Sequence, residues 1–299
     1  MLHRSIADDQ QQRGICWQEK DDCFIPIGHH QIAEPVPRSN NEGLLDSLNR
    51  LPEGSSGRID SHQNNLFQIT QGQLRRGTYF PRIVRPIYGE TTIQTGQTLK
   101  NVWDHNYLRA IRKQEEILIE LIESIFRNIH PHKDNYNVYG HQIRNLIILA
   151  TTEVESSLTA ILQANNVQPI NRHYTTQDYV RIKNILRLEE FEVSLLHYPW
   201  LQPFSPFRGW HEDRPTQSLT WYNAYNKIKH YRENEFKEAI LLHSINALIA
   251  VHILLIAQFG NWATYNPYFK FNNEPCWPRE ELYISPEQPD EWEPVNVDI

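Results

Sequence analysis

Between Trp221 and Arg232 the chain reads Trp-Tyr-Asn-Ala-Tyr-Asn-Lys-Ile-Lys-His-Tyr-Arg, which places three cations and one imidazole within six residues. Folded as a helix, this stretch sets Asn223, Asn226, Lys227 and His230 on one face at spacings of three and four. Lys229 and Arg232 fall on an adjoining face. Cations close to an imidazole favour its neutral form. A neutral imidazole beside fixed positive charge suits RNA cleavage: the ring takes the proton of a 2′-hydroxyl while the cations hold the phosphate and the charge that develops on it. The same residues also read as a solvated helix end whose bases pair with Glu233, Glu235 and Glu238.

Three further groupings carry chemistry. Arg144 and Glu155 stand eleven residues apart, three turns of a helix, and so share a face. Glu155 or Glu153 is then placed to meet the basic cluster across a helical bundle, either as a structural ion pair or as part of a site. His130, His132 and His141 surround a polar turn, and exposed loop histidines are a simpler reading than metal ligands, so no metal and no cofactor are expected. Arg75, Arg76, Arg82 and Arg85 alternate with Tyr79 and Phe80 in a stretch with no acid between Asp60 and Glu90. Aromatics interleaved with bases hold single-stranded nucleic acid by stacking and phosphate contact; an edge strand guarded by arginines has the same composition.

The elements that must position these groups are mostly helical. Ile111, Leu118, Leu121, Ile122, Ile125 and Ile129 recur at three- and four-residue steps, forming one apolar stripe that Pro131 ends. A second helix is predicted over about 142–164, with Ile143, Ile147, Ala150, Val154, Leu158 and Ile161 on one face. A shorter one covers 176–189, capped by Thr175 or Thr176. After an aromatic, proline-broken loop at 198–210 come two more, over about 216–231 and 233–259. The fold class expected is mainly α: an up-and-down bundle of about five helices over residues 97–260. Residues 1–96 read as an irregular, weakly β extension, with strand-like composition at 66–70 and 79–84 and a linker-like interval at 34–61. Residues 261–299 read as an extended acidic tail, with eight acids against two bases.

The formal net charge of −7 therefore lies almost wholly in that tail. A balanced body argues against a general nucleic-acid coat, though not against a local basic groove. Ala239 to Phe259 contains no charged residue and is long enough to span a bilayer. His243, Ser244, Asn246, His252 and Gln258 argue instead for a central bundle helix, apolar all round because other helices surround it. The first residues lack the apolar core of a signal peptide, and Cys16, Cys23 and Cys276 are too few for a disulfide framework. Free thiols in a reducing, cytoplasmic setting are expected.

The pattern Trp221-Tyr222-x-x-Tyr225-Asn226-Lys227-Ile228-Lys229-His230-x-Arg232, followed by Phe236 and a long Ala/Leu/Ile helix, resembles uncharacterised bacterial proteins related to the HEPN superfamily. Pro206-Phe207-x-x-Trp210 and Ala150-Thr151-Thr152-Glu153-Val154-Glu155 fit the same resemblance, which covers about residues 98–260. It implies a small helical bundle, often a homodimer with a shared site, and in many members a metal-independent ribonuclease of toxin or antiviral systems. The family hallmark is an Arg, a polar follower, and a His four to six residues past the Arg. With His230 as that histidine, Tyr225 stands at the arginine's place and Asn226 is the follower, so Arg232 or Lys229 must substitute. A literal match, Arg127 to His132, lies at a helix end and gives a secondary candidate. The reading is thus RNA or nucleotide engagement, with or without cleavage, by Asn226, Lys229, His230 and Arg232. Lys227, Arg75 and Arg76 are further nucleic-acid contacts, and Arg127, His132, Arg144 and Glu155 secondary candidates. The alternative is a non-catalytic helical interaction module that docks a protein partner through its acidic tail and aromatic loop.

Overall fold

A computed structural model describes residues 3–8, 13–19, 23–27, 36–38, 43–52, 67–71, 78–83, 105–230, 234–260, 266–273, 275, 293–297 and 299. The chain divides into two compact units. One comprises Met1–Tyr79, Val84–Lys100 and Cys276–Val295; the other comprises Phe80–Ile83, Asn101–Pro275 and Asn296–Ile299.

In the first unit the weakly β region forms a five-stranded antiparallel sheet. Its strands are β1 (His3–Asp8), β2 (Arg13–Glu19), β3 (Cys23–Ile27), β4 (Val36–Pro37) and β5 (Phe67–Gln71), in the order β4-β3-β2-β1-β5. The register aligns Ile6 with Ile15 on one side and with Ile69 on the other. Only β5 falls in a segment with obvious strand composition. β1 and β2 mix charged with apolar residues and β3 is interrupted by Pro26, so pairing more than propensity makes them strands. The linker-like interval is not wholly structureless: α1 (Leu44–Asn49) lies within it, and Leu44 and Leu48 are buried, as are Phe24 and Val36. The second strand-like run, 79–84, yields only β6 (Thr78–Tyr79), paired with β9 (Glu293–Pro294). The chain then turns at Pro81, with Arg82 at a left-handed φ of 60°.

The second unit is mainly α. It contains α2 (His105–Phe126), α3 (His141–Ala164), α4 (Thr176–Tyr179), α5 (Thr220–His230) and α6 (Leu241–Phe259). The apolar stripes do what their spacing predicts: Ile111, Leu118, Ile122 and Ile125 of α2 are buried, and so are all six of the periodic residues named on α3. Each such side chain contributes roughly 1.5–3 kcal/mol. Leu121 instead lies 36% exposed at the stripe's edge. The predicted third helix breaks after one turn into short 3-10 segments at Val180–Ile182 and Leu188–Glu190. Its start is as expected: Thr175 and Asp178 form a reciprocal capping box.

The apolar run after Ala239 becomes α6, which packs against α2, α3 and α5. Among the described residues two helices, α3 and α6, are long and apolar enough to cross a membrane, but 83% of the apolar window of α6 is buried inside the protein. It is a core helix, and Gly260, at φ 78°, ends it.

The aromatic loop and the start of the tail also turn inward. Phe204, Phe207 and Trp210 are buried, and Phe207 meets Trp221 of α5 edge-on at 6.1 Å. The indoles of Trp210 and Trp221 donate to the carbonyls of Pro215 and Pro206, each at 2.8 Å. The loop is thus divided: Leu201, Phe204, Phe207 and Trp210 join the core, while Trp200 stays 51% exposed. β7 (Glu192–Leu195) pairs antiparallel with β8 (Phe269–Asn273), so this part of the tail is a strand of the helical unit.

Two carboxylates of α2 fasten it. Glu115, almost wholly buried, accepts from Asn266 at 2.9 Å and lies 2.6 Å from His252 Nδ1 of α6, whose ring stacks on Phe269 at 4.1 Å. Glu123 accepts the hydroxyls of Tyr198 and Tyr268 at 2.7 and 2.6 Å.

Candidate functional site

Helix α5 buries Trp221, Tyr222, Ala224, Tyr225 and Ile228. That apolar side seats it on α3 and α6, and leaves Asn226 and Lys227 half-buried with Lys229 and His230 exposed at its carboxyl end. Basic side chains in a last helical turn also complement the negative end of the helix dipole.

The centre of the arrangement is Glu155, in the middle of α3. Tyr222 and Tyr225, three residues apart on one face, both reach it. The Tyr222 hydroxyl donates a very short hydrogen bond to Oε1, and the Tyr225 hydroxyl donates to Oε2 at 3.0 Å. Lys229, one turn on, donates from Nζ to the Tyr225 oxygen at 2.8 Å. A cation and a carboxylate thus share one phenol between them. One turn beyond Glu155, Thr159 exchanges a 2.9 Å hydrogen bond with Tyr179 of α4.

The electrostatics follow from this packing. Burial, reinforced by the Glu155 charge, drives the Tyr222 phenol far above its ordinary pKa. Tyr225 and Tyr179 are raised mainly by burial as well. The hydrogen bond to Tyr225 raises Lys229, aided by the negative charge of Glu155, so its ammonium is held charged. Beside this network Lys227 pairs with Glu238 at 3.3 Å. The Glu238 carbonyl accepts Nδ1–H of His243 at 3.0 Å, and burial lowers the pKa of that imidazole.

The fold brings Glu155 and Lys229 of the basic cluster together through Tyr225. The Tyr225 hydroxyl serves at once as donor to Glu155 and as acceptor from Lys229.

Other candidates lie elsewhere. Arg144, in the first turn of α3, is separated from Glu155 by about 16 Å of helix; its Nε is buried without a hydrogen-bond partner. Arg127 is exposed just past α2, and His132 is 3.2 Å from Asp134. Among the described residues no hydrogen bond or ion pair joins Arg127, His132 or Arg144 to His230, and no three His, Cys, Asp or Glu side chains converge as a metal would need. Arg232, Arg75 and Arg76 lie outside the described residues. Sequence reasoning missed the roles of Tyr222 and Tyr179. The signal available for Tyr222 was its three-residue spacing from Tyr225 on the buried face of a helix that must pack on α3.

No protein-family model, curated protein or solved structure matches the chain. The geometry of this site is what a functional reading rests on.

Proposed function

We propose that this chain is a HEPN-like helical protein that engages RNA or a nucleotide at the carboxyl end of α5, in the cytoplasm and in the toxin or phage-defence setting the resemblance implies. The observation that carries the reading is the Lys229–Tyr225–Glu155 chain. It fixes a charged ammonium at the exposed end of a helix whose next residue is an exposed imidazole, His230. Lys229 is the phosphate-holding cation, His230 the neighbouring base, and Asn226, one turn earlier on the face of His230, a polar contact to sugar or base. Lys227, paired with Glu238, contributes to the field more than to direct contact.

Binding is the primary activity in this reading, and cleavage the stronger form of it. In cleavage His230 takes the 2′-hydroxyl proton, the 2′ oxygen bonds to phosphorus, and the bond to the 5′ oxygen breaks, with water protonating the departing oxygen. The products are a cyclic phosphate and a free 5′-hydroxyl, and no metal takes part. A cation at the arginine's place is the requirement, and Lys229 meets it one turn away from Tyr225.

The test is labelled RNA incubated with purified protein, with and without EDTA, alongside His230→Ala and Lys229→Gln. Salt-dependent binding that Lys229→Gln weakens, with a salt slope reduced by about one, supports the reading. EDTA-resistant cleavage abolished by His230→Ala establishes the stronger form. Absence of both binding and cleavage removes the proposal.

A further inference from the structure

The turn after α2 and the loop after β7 build a second place on the helical unit suited to a planar ligand. His130 and His132 flank Pro131, and their rings lie nearly parallel, 11° apart with centroids at 6.2 Å. His130 in turn stacks on Trp200 at 5.7 Å and 24°. The three rings make a short ladder on the surface, where Trp200 is 51% exposed and His130 is exposed as well.

An exposed tryptophan in a loop ordinarily turns freely. Trp200 does not, because its indole N–H donates to the Pro131 carbonyl at 2.7 Å. Its ring is also braced edge-on by Tyr198 at 5.7 Å. Tyr198 is fixed in its turn, edge-on to Phe126 at 4.9 Å and hydrogen-bonded to Glu123. The ladder is therefore preorganised, and Trp200, its only polar atom already satisfied, has nothing to offer a ligand except its π surface.

Both signs of charge surround the ladder. Arg127 is exposed and near enough for its charge to act on the Tyr198 phenol. Lys133 is exposed too, while Asp134 meets His132 at 3.2 Å and Glu123 is engaged by the Tyr198 hydroxyl. A chain of contacts runs from the turn after α2 to Lys227 of α5. His141, at the start of α3, lines one surface pocket with Asn128 and Ile129 and packs at 4.7 Å on Phe236. Phe236 opens the short turn whose Glu238 holds Lys227.

We infer that His130, His132 and Trp200, with Arg127 beside them, form a stacking platform for a base of single-stranded RNA, a second contact for the ligand proposed at α5. Aromatic rings take any base by its face, and neighbouring cations take the phosphate. The inference rests on the RNA reading of the α5 site but uses residues that share none of its hydrogen bonds.

The full-length protein is titrated with a short unstructured RNA, with an abasic oligomer of the same length and with adenosine 5′-monophosphate. Binding is followed by anisotropy over a salt series, and by the indole N–H resonance of Trp200, assigned from its loss in Trp200→Phe. The expected result is that Trp200→Ala weakens RNA binding roughly five- to one-hundred-fold without changing the salt slope, while Trp200→Phe keeps most of the affinity. The abasic oligomer is indifferent to Trp200, and the indole resonance moves with adenosine 5′-monophosphate even in Lys229→Gln/His230→Ala. An immobile indole, with RNA binding that Lys229→Gln weakens and Trp200→Ala does not, overturns the platform and leaves the α5 reading standing. A wild type that neither binds RNA nor shifts the indole overturns both. A Trp200→Ala effect on self-association instead of on RNA binding, seen by sedimentation, overturns the platform in favour of a protein contact.

Discussion

Tyr225 uses both capacities of its hydroxyl, giving its proton to Glu155 and receiving one from Lys229. With Tyr222 on the other carboxylate oxygen, the two phenols let Glu155 sit part-buried with its charge answered. This makes the network sensitive to alkali. The folded state raises the pKa of Tyr179, Tyr198, Tyr222, Tyr225 and Tyr268 above the ordinary 10.0, so it holds these protons more tightly than the unfolded chain does. Their contribution to stability is complete below about pH 10 and is lost as pH rises beyond it. Denaturant midpoints measured against pH are expected to fall on the alkaline side of that value. Tyr222→Phe is expected to lower the neutral-pH stability by about 0.5–1.5 kcal/mol and to flatten the alkaline limb. A midpoint that stays level through the alkaline range contradicts this account.

At the scale of elements, α2 does more than contribute an apolar stripe. Its two inward carboxylates, Glu115 and Glu123, tie down the segment that includes β8. Glu123→Ala leaves the hydroxyls of Tyr198 and Tyr268 without their acceptor, at a cost of about 1–3 kcal/mol for each that stays buried and unpaired. Urea denaturation measures the loss, and Glu123→Gln, which keeps an acceptor oxygen, is expected to recover part of it.

The helices themselves were legible because their signal is local. Ile143, Ile147, Ala150, Val154, Leu158 and Ile161 announce one face of α3 without knowledge of its partners. The strands of the first unit were not, since the charges in β1 and β2 and the proline in β3 blur their pattern and they gain their form from one another. The site was half legible: Lys229 and His230 stand out by type, whereas Tyr222 reads in sequence as one more core aromatic.

At the scale of the whole molecule, two compact units have different architectures: among the described residues, a sheet with one short helix in the first and a helical assembly around α6 in the second. The second unit gathers remote pieces: Asn165 donates to the Pro81 carbonyl at 2.8 Å, and Arg181 to the Ile299 carbonyl at 2.9 Å. Limited proteolysis of the full chain is expected to leave a resistant fragment containing α2 through β8, with a helical circular dichroism spectrum. Early cleavage inside α3 or α6 contradicts a core built around α6.

The sequence by itself determined the mainly α class, the faces of α2 and α3, and the basic end of α5. All of these are patterns within a few helical turns. Tertiary structure alone decided what that basic end is attached to. Tyr222 and Tyr225 meet Glu155 across separations of 67 and 70 residues. Periodicity specifies which face a side chain occupies and nothing about which residue of a distant helix it will meet; that depends on how α5 and α3 cross. The same holds for Trp200, an ordinary loop aromatic in sequence, which the fold pins to Pro131 and stacks on His130.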